Sequence, residues 1–337
     1  MKRDGFGTRI GALLALVGSA VGLGNLWKFP YMAGKNGGAA FILLYIGFMF
    51  LLCLPLMLSE FIIGRRSQVN AVGAFRKLAP NTKWYFTGII GTITAFIILS
   101  FYSVVGGWAI EYLVGYLTNR FSNTADIGAH FDTFTQSPVK PILYHIIFLA
   151  VTVVILWTGV KNGIERYSKI LLPLLFIMII GLAIYSLYLP GSGKGVQFML
   201  MPNLSDITPS VILAALGQGL FSLSLGMGTV ITYSSYMGRR ENLTKMAIIT
   251  IVMDLAFALI AGFVILPAVF SFGFQPDEGP GLLFIILPKV FAAMPLGHIF
   301  AIIFFAVLII AALTSAISLL EVITAYLTEE KKMTRKK

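Results

Sequence analysis

The sequence predicts an all-α polytopic membrane protein, and three observations support that fold class. Hydrophobic residues make up 58% of the 337-residue chain and charged residues only 12%, which is about half the charged fraction of an ordinary soluble domain. Apolar stretches of about 20 residues, the length of one bilayer crossing, recur along the whole chain. A glycine-containing motif occurs twice within such stretches, which indicates helices interrupted at matching places.

Eight apolar segments are long enough to cross a bilayer, and each is expected to form a helix. They lie near 9–33, 38–63, 84–118, 141–160, 168–189, 209–236, 246–272 and 297–327. The polar loop 119–140 predicts no function. We interpret residues 274–294, an acidic loop followed by a short apolar stretch, as an external lid, with a plain turn as the alternative.

Basic residues are distributed unevenly between the two sides that these segments define. If the N-terminus is inside, the inner loops and ends hold eighteen Lys and Arg residues and the outer ones hold six, with Arg9 at the inner boundary. Because cytoplasmic loops carry the excess of Lys and Arg, we expect both termini in the cytoplasm and the chain in an inner (plasma) membrane. The net charge of +11 does not indicate a nucleic-acid partner, because the basic residues lie between apolar segments rather than on one face.

The first segment is interrupted by residues 18–30, GSAVGLGNLWKFP. Its glycines and Pro30 disfavour a continuous helix. Backbone groups that are freed inside a membrane must be buried in protein or line a cavity, so the interruption predicts a binding site. For Gly18 and Gly22 alone, close packing against another helix is the alternative.

A second copy of this motif, SLSLGMGT at 222–229, aligns without a gap on GSAVGLGN at 18–25. Interrupted segments at corresponding places in two halves of a chain indicate the binding site of a transporter. Segment 1 runs outward and segment 6 inward, so the repeat has inverted topology. Within one transmembrane domain, 1–337, we assign 1–190 to the first repeat (helices 1–5) and 205–337 to an incomplete second repeat (helices 6–8). A full second repeat needs two more segments, so we expect a chain truncated after the eighth helix.

Four motifs carry a family resemblance: GLGNLWKFPY at 22–31, NGGAAF at 36–41, PLMLSE at 55–60 and Gly64-Arg65. Together they closely resemble the neurotransmitter:sodium symporter family, especially its bacterial amino-acid transporters. The resemblance extends over the whole chain. It implies an inverted-repeat, five-plus-five transporter fold, with helices 1 and 6 unwound at mid-membrane, that moves its substrate by sodium-driven alternating access.

The resemblance also implies two Na⁺ ions. The first would lie beside a substrate carboxylate and take oxygen atoms from Ala20, Asn25, Ser222 and Asp254. The second would take them from Gly18, Val21, Ala311, Thr314 and Ser315. Carbonyl, amide, hydroxyl and carboxylate oxygens are suitable ligands for a hard cation such as Na⁺. For Thr314 and Ser315, hydrogen bonding back to their own helix is the alternative.

Asp254 lies at the centre of the seventh segment. A carboxylate there costs about 2.5–3.5 kcal/mol on insertion scales, so we expect it to face a cation, with pairing to a distant lysine as the alternative. Animal members of the family balance the sodium charge with a bound chloride, and Asp254 could supply that balance itself. Chloride is therefore not expected to be required. We also expect Glu60 to join Tyr45 and Gln218 in a polar network behind segment 6.

Monoamine-transporting members of the family carry an aspartate where this chain has Gly22, so the resemblance implies a substrate with its own carboxylate. That carboxylate would meet the backbone of segment 1 and the Tyr102 hydroxyl. The substrate site would comprise Ala20, Gly22, Leu23, Gly24, Ile98, Tyr102, Phe221, Ser224, Met227 and Leu319. This set is mostly apolar and contains an adaptable methionine, so we expect a neutral amino acid with a large hydrophobic or aromatic side chain.

Two gates follow from the same resemblance. Lys28, with Phe221, would form the outer gate. Arg3 would pair with Glu329, near Tyr236, at the inner gate, and ordinary charge topology is the alternative for that pair.

An enzyme is not expected, because the chain has no His-Glu-x-x-His or Gly-x-Ser-x-Gly motif and its three histidines are scattered. The alternatives to a symporter are a channel-like or non-transporting amino-acid-binding relative, or an inactive fragment of a transporter. The expected partners are an amino acid and the lipid bilayer. The sequence does not indicate an oligomeric state.

Overall fold

The structure, a computed structural model, describes residues 5–123, 127–238, 241–276 and 281–335, and these contain helices but no strand. The helices are Arg9–Ala20 (α1), Gly24–Lys35 (α2), Ala39–Ser67 (α3), Ala71–Leu78 (α4), Tyr85–Leu117 (α5), Ile127–Gln136 (α6), Lys140–Trp157 (α7), Val160–Leu187 (α8), Gly193–Leu200 (α9), Pro209–Ser222 (α10), Thr229–Ser234 (α11), Leu243–Ser271 (α12), Leu282–Ala293 (α13) and Gly297–Glu330 (α14).

Six of these described helices are individually long and apolar enough to cross a membrane: α3, α5, α7, α8, α12 and α14. Helices α1 and α2 form a seventh span that bends by 44° at its break. The sixth predicted segment, 209–236, is divided into α10 and α11 by the non-helical residues 223–228, so neither half is long enough alone. The predicted all-α membrane fold, with segments 1 and 6 interrupted, is confirmed.

Some element boundaries differ from the prediction. Helix α8 begins at Val160 rather than near 168, because charged residues such as Glu165 extend the helix beyond its apolar part. The stretch 282–294 is not a plain turn: α13 is a helix whose Leu282 and Leu283 are fully buried. The polar loop 119–140 contains the helix α6.

Contacts between loops define two faces of the helix bundle. At the first, which we call the N-terminal face, the backbone N–H of Phe6 donates a hydrogen bond of 3.3 Å to the carbonyl of Tyr236. At the opposite face, Gly37 abuts the side chain of Asp206, just before α10 begins. The chain enters segment 1 at one face and segment 6 at the other. The two interrupted segments are therefore antiparallel.

The burial pattern of α5 shows how the segments surround the breaks. Gly91, Ala95, Leu99 and Tyr102 are buried at helical spacing, whereas Ile93 and Ile97, which lie between them, are more than half exposed. A stripe of this kind faces the protein interior and leaves the other side of the helix to lipid. It brings the Tyr102 side chain to the break in segment 1.

Candidate functional site

The first break covers residues 21–23, between α1 and α2. Val21 ends α1 in an extended conformation with ψ of 108°. At Gly22, a Cβ atom would lie 2.2 Å from the Ser315 hydroxyl oxygen and 3.2 Å from the Tyr102 hydroxyl oxygen. Only glycine allows the chain to approach α14 and α5 this closely. The carbonyl groups of the break are thereby brought against α14.

The second break uses a left-handed backbone. Gly226 and Gly228 have φ of 78° and 75°, and Ser224 has φ of 54°. Glycine adopts this region without steric cost, which explains why the motif needs a Gly-x-Gly pair.

Glu60 lies at this second break, but the network predicted for it is wrong. Its Oε1 accepts a hydrogen bond of 2.7 Å from the backbone N–H of Gly226. Tyr45 and Gln218 bind elsewhere, to Asp254 and to the carbonyl of Gly24. Tyr45 is fifteen residues from Glu60 on the same helix, which separates them by about 22 Å at 1.5 Å per residue.

The first oxygen cluster consists of Asn25, Tyr45, Ser222 and Asp254, all buried. Asn25 Nδ2 donates to Asp254 Oδ1 at 2.8 Å, and the Ser222 hydroxyl lies 2.9 Å from both carboxylate oxygens. The Tyr45 hydroxyl donates to Asp254 Oδ2 at 3.2 Å. The structure therefore brings together Asn25, Ser222 and Asp254 as the sequence predicted, and it adds Tyr45.

The second oxygen cluster lies between the first break and α14. The Thr314 hydroxyl is 3.3 Å from the Val21 carbonyl and 3.0 Å from the Ala311 carbonyl, and the Ser315 hydroxyl is 3.4 Å from the Val21 carbonyl. A Cβ atom on Gly18 would lie 3.5 Å from Thr314 Cβ. All five residues predicted for a second ion are therefore adjacent, and Thr314 bonds both its own helix and the break.

Ala20 ends α1 and is buried, next in the chain to Val21. The donor sets of the two clusters differ in charge. The first has one carboxylate, whereas the second offers only hydroxyl and carbonyl oxygens. Oxygen donors of these kinds fit a hard alkali cation.

A cavity of about 360 Å³ opens beside the first break, on the side that leads to the opposite face. It is lined by Leu23, Gly24, Trp27, Lys28, Tyr31, Met32, Phe101, Tyr102 and Phe221. At its base, the backbone N–H of Gly24 donates to the Tyr102 hydroxyl oxygen at 3.3 Å. Sequence reasoning missed Trp27, Tyr31, Met32 and Phe101. The signal for Trp27 and Tyr31 was their helical spacing from Leu23 and Gly24 on the same segment.

Six residues predicted for the substrate site do not line this cavity: Ala20, Gly22, Ile98, Ser224, Met227 and Leu319. Ser224, Met227 and Leu319 are buried, and the Ser224 hydroxyl donates to the Ser19 carbonyl at 3.2 Å. They lie where the chain is closely packed on the side of the breaks toward the N-terminal face. The substrate site predicted from the sequence therefore coincides with this cavity only in part.

The next residues are those predicted to form the two gates, and the structure places only some of them as expected. Lys28 Nζ lies 4.1 Å from the centre of the Phe221 ring, a cation–π contact at the cavity wall. Arg3 lies outside the described residues. The Tyr236 hydroxyl donates to Glu321 at 2.6 Å. Glu321 lies eight residues before Glu329 on α14, about 12 Å away along the helix axis.

Glu165 ties the start of the chain to α8, and sequence reasoning did not find this contact. Its carboxylate accepts hydrogen bonds of 2.6 Å each from the Gly7 N–H, the Thr8 hydroxyl and Lys169 Nζ. The i,i+4 spacing of Glu165 and Lys169 was readable as an ion pair. Thr8 and Glu165 are 157 residues apart in the sequence, so their contact depends on how the helices pack.

Two antiparallel interrupted helices, with oxygen clusters and a cavity at their breaks, define a membrane transporter of the inverted-repeat class. Comparison with known proteins agrees. The model of the sodium:neurotransmitter symporter family matches residues 3–137 and 134–337. The chain belongs to this family and is a sodium-dependent transporter.

Individual relatives cover nearly the whole chain. It is 46% identical over 332 residues to the sodium-dependent transporter YhdH of Bacillus subtilis. This alignment covers 98% of this chain and 74% of the relative. A sodium-dependent transporter of Haemophilus influenzae is 41% identical, covering 100% of this chain and 76% of the relative. The crystal structure of MhsT in complex with L-phenylalanine superposes with a TM-score of 0.93 at 47% identity, covering 99% of this chain and 76% of that one.

Proposed function

We propose that this chain is a sodium-coupled symporter of neutral amino acids with large hydrophobic or aromatic side chains, and that it works by alternating access. In this proposal the two inverted repeats, 1–190 and 205–337, rock around the central breaks. The N-terminal face, which carries the basic excess, faces the cytoplasm across the plasma membrane.

The observation that carries the proposal is the cavity wall at the first break. Tyr102 and the backbone of Gly24 meet there, Lys28 contributes a cation, and none of the residues lining this cavity is acidic. A ligand that brings a carboxylate complements such a wall, because donors and a cation stabilise its charge. A monoamine without a carboxylate finds no acid there to pair its amine.

The side-chain preference is supported by the rest of the cavity. Trp27, Tyr31, Phe101 and Phe221 give it four aromatic rings, and Met32 adds an adaptable thioether. Burial of apolar area against such a wall is worth roughly 25 cal/mol per Å². MhsT, which is 47% identical, binds L-phenylalanine in its crystal structure, and this supports the same substrate class here.

Sodium would enter as a co-substrate at the two oxygen clusters. The first cluster joins segment 1 to α10 and α12, and its Asp254 supplies the negative charge that a cation needs. The second cluster joins the first break to α14 through Thr314 and Ser315. An ion at each cluster therefore ties the two broken segments to helices that flank them. Loss of the ions loosens those ties and permits the site to open toward the other side.

Uptake into proteoliposomes tests this function. The expected result is saturable uptake of labelled leucine or phenylalanine that requires an inward sodium gradient and stops when the gradient is collapsed. A channel would equilibrate the solute without the gradient, and a non-transporting binder would retain binding without uptake. Either result would contradict symport.

A further inference from the structure

We propose that Asn70 is a positioning residue of the transport cycle, which keeps the second break closed toward the cytoplasm by fixing α4 to the end of α14. This inference rests on the proposed function, because it concerns the inner gate of the proposed alternating-access cycle. Asn70 and its partner Glu329 are defined here as the α4 clamp.

Asn70 is 1% exposed and uses its whole side chain. Its Oδ1 accepts hydrogen bonds of 3.0 Å from the backbone N–H groups of Val72 and Gly73, which caps the first turn of α4. Its Nδ2 donates to Glu329 Oε2 at 3.0 Å and, at the longer distance of 3.3 Å, to Glu330 Oε1, and its backbone N–H donates to Glu329 Oε2 at 2.6 Å. One residue thus both starts α4 and binds it to α14.

The amide group is needed for this double role. Aspartate and asparagine cap helices about equally well, but an aspartate has no N–H group to donate to Glu329 and would place a second negative charge beside it. A second tie, the ion pair between Arg76 and Glu330, is on the surface, where the Arg76 side chain is 52% exposed. Exposed ion pairs contribute little, so the clamp is the stronger of the two ties.

The next residue, Ala71, places α4 against the second break. A Cβ atom on Gly228 would lie 3.1 Å from Ala71 Cβ and 3.3 Å from Val322 Cγ1 on α14. On α5, a Cβ atom on Gly88 would lie 2.6 Å from the Ala71 carbonyl oxygen. The first turn of α4 is therefore wedged among α5, α14 and the break.

This wedge blocks the route from the second break to the N-terminal face. Gly228 has no room to move toward that face while Ala71 remains in place, because interiors packed this closely do not yield gradually. Ala71 cannot move while the preceding residue is bound to Glu329. Release of the α4 clamp is thus a condition for opening the inner side of the site.

The test uses a reporter cysteine in a background lacking the native thiol, Cys53→Ser. Thr232→Cys is suitable, because Thr232 is fully buried on α11, one turn beyond the break. Inside-out vesicles are treated with a membrane-impermeant thiol reagent, and the labelling rate is measured in sodium and in potassium. Leucine binding is measured on the same samples.

Asn70→Asp is expected to raise the labelling rate in sodium by about tenfold, since it removes a hydrogen bond to a charged group. The double variant Asn70→Asp with Glu329→Gln is expected to be labelled more slowly than Asn70→Asp alone, because the glutamine amide can donate to the new aspartate, although Glu330 Oε1, 3.3 Å from Asn70 Nδ2, remains beside it. A purely structural role would not show this rescue. Labelling of Asn70→Asp at the unmodified rate would overturn the proposal.

Two further results separate this proposal from the proposed function. If the unmodified chain fails to bind leucine in sodium, the substrate assignment fails, but the labelling comparison still decides the role of the clamp. If Asn70→Asp does not fold, Asn70→Ser keeps a capping oxygen and loses the Nδ2 donor. A labelling rate unchanged in that variant would overturn the clamp equally.

Discussion

Asn25 and Asp254 are separated by 229 residues in the sequence and share a hydrogen bond of 2.8 Å between Nδ2 and Oδ1. Both side chains are fully buried. The bond joins the break in segment 1 to the middle of α12, and the Ser222 hydroxyl joins the same carboxylate from the end of α10. One acidic side chain thus connects both interrupted segments to an uninterrupted helix.

The first prediction concerns the charge of this carboxylate. Asp254→Asn is expected to raise the sodium concentration for half-maximal leucine binding by about 10- to 100-fold, the range expected when interactions with a charged group are lost. A sodium titration of labelled-leucine binding measures it. The matched control, Asp132→Asn, changes an exposed acid on α6 and should leave the titration unchanged. An unaltered titration for Asp254→Asn would remove this residue from the sodium site.

The second prediction is that transport does not require chloride. Asp254 already places a negative charge beside the expected position of the first ion, so a mobile anion is not needed for charge balance. Replacement of chloride by gluconate is expected to leave the initial rate of sodium-driven uptake unchanged. A strong loss of uptake in gluconate would show that Asp254 does not supply the balance.

The third prediction addresses the close approach of segment 1 to α14. Gly22→Ala is expected to abolish leucine binding, because its Cβ atom would lie 2.2 Å from the Ser315 hydroxyl oxygen. Gly217→Ala on α10 is the matched control, since a Cβ atom there meets nothing within 4 Å and alanine favours a helix. Equilibrium binding on both purified variants makes the comparison. Equal leucine binding by the two variants would mean that the first break accommodates a Cβ atom at position 22.

The sequence predicts most of the fold because its signals are local. Apolar length defines the spans, and the Gly-x-Gly pairs indicate where helices end, as Gly226 and Gly228 confirm with their left-handed backbones. The start of α8 was missed because Glu165 looks like a surface charge. Only the folded chain places its carboxylate against Thr8.

Only part of the site was predicted, because only part of it has a local signal in the sequence. Asn25, Ser222 and Asp254 were grouped through the family resemblance, whereas the residues alone indicated only the two breaks and that a carboxylate inside a membrane needs a partner. The error at Glu60 came from placing it with Tyr45 and Gln218 behind segment 6, although helical rise separates Glu60 from Tyr45 on their shared helix. The α4 clamp carries no motif, since its distances depend on how a short helix packs against α14.

The fourth prediction concerns the second oxygen cluster. Thr314→Ala removes the hydroxyl that lies 3.3 Å from the Val21 carbonyl, and it is expected to weaken sodium-dependent uptake by raising the half-saturating sodium concentration about three- to tenfold. Thr314→Ser keeps the hydroxyl and should behave as the unmodified chain. Thr324→Ala, which loses only a bond to its own helix at Leu320, controls for the loss of a methyl-bearing side chain on α14. If Thr324→Ala has the same effect as Thr314→Ala, the effect does not belong to an ion site.

Binding of labelled leucine and tryptophan to the purified chain, in sodium and in potassium, with dopamine as competitor, tests the central claim most directly. The account predicts binding in sodium that is absent in potassium, is not displaced by dopamine and needs a higher sodium concentration in Asp254→Asn. Equal binding in potassium, or displacement by dopamine, would contradict a sodium-coupled amino-acid site at the two breaks.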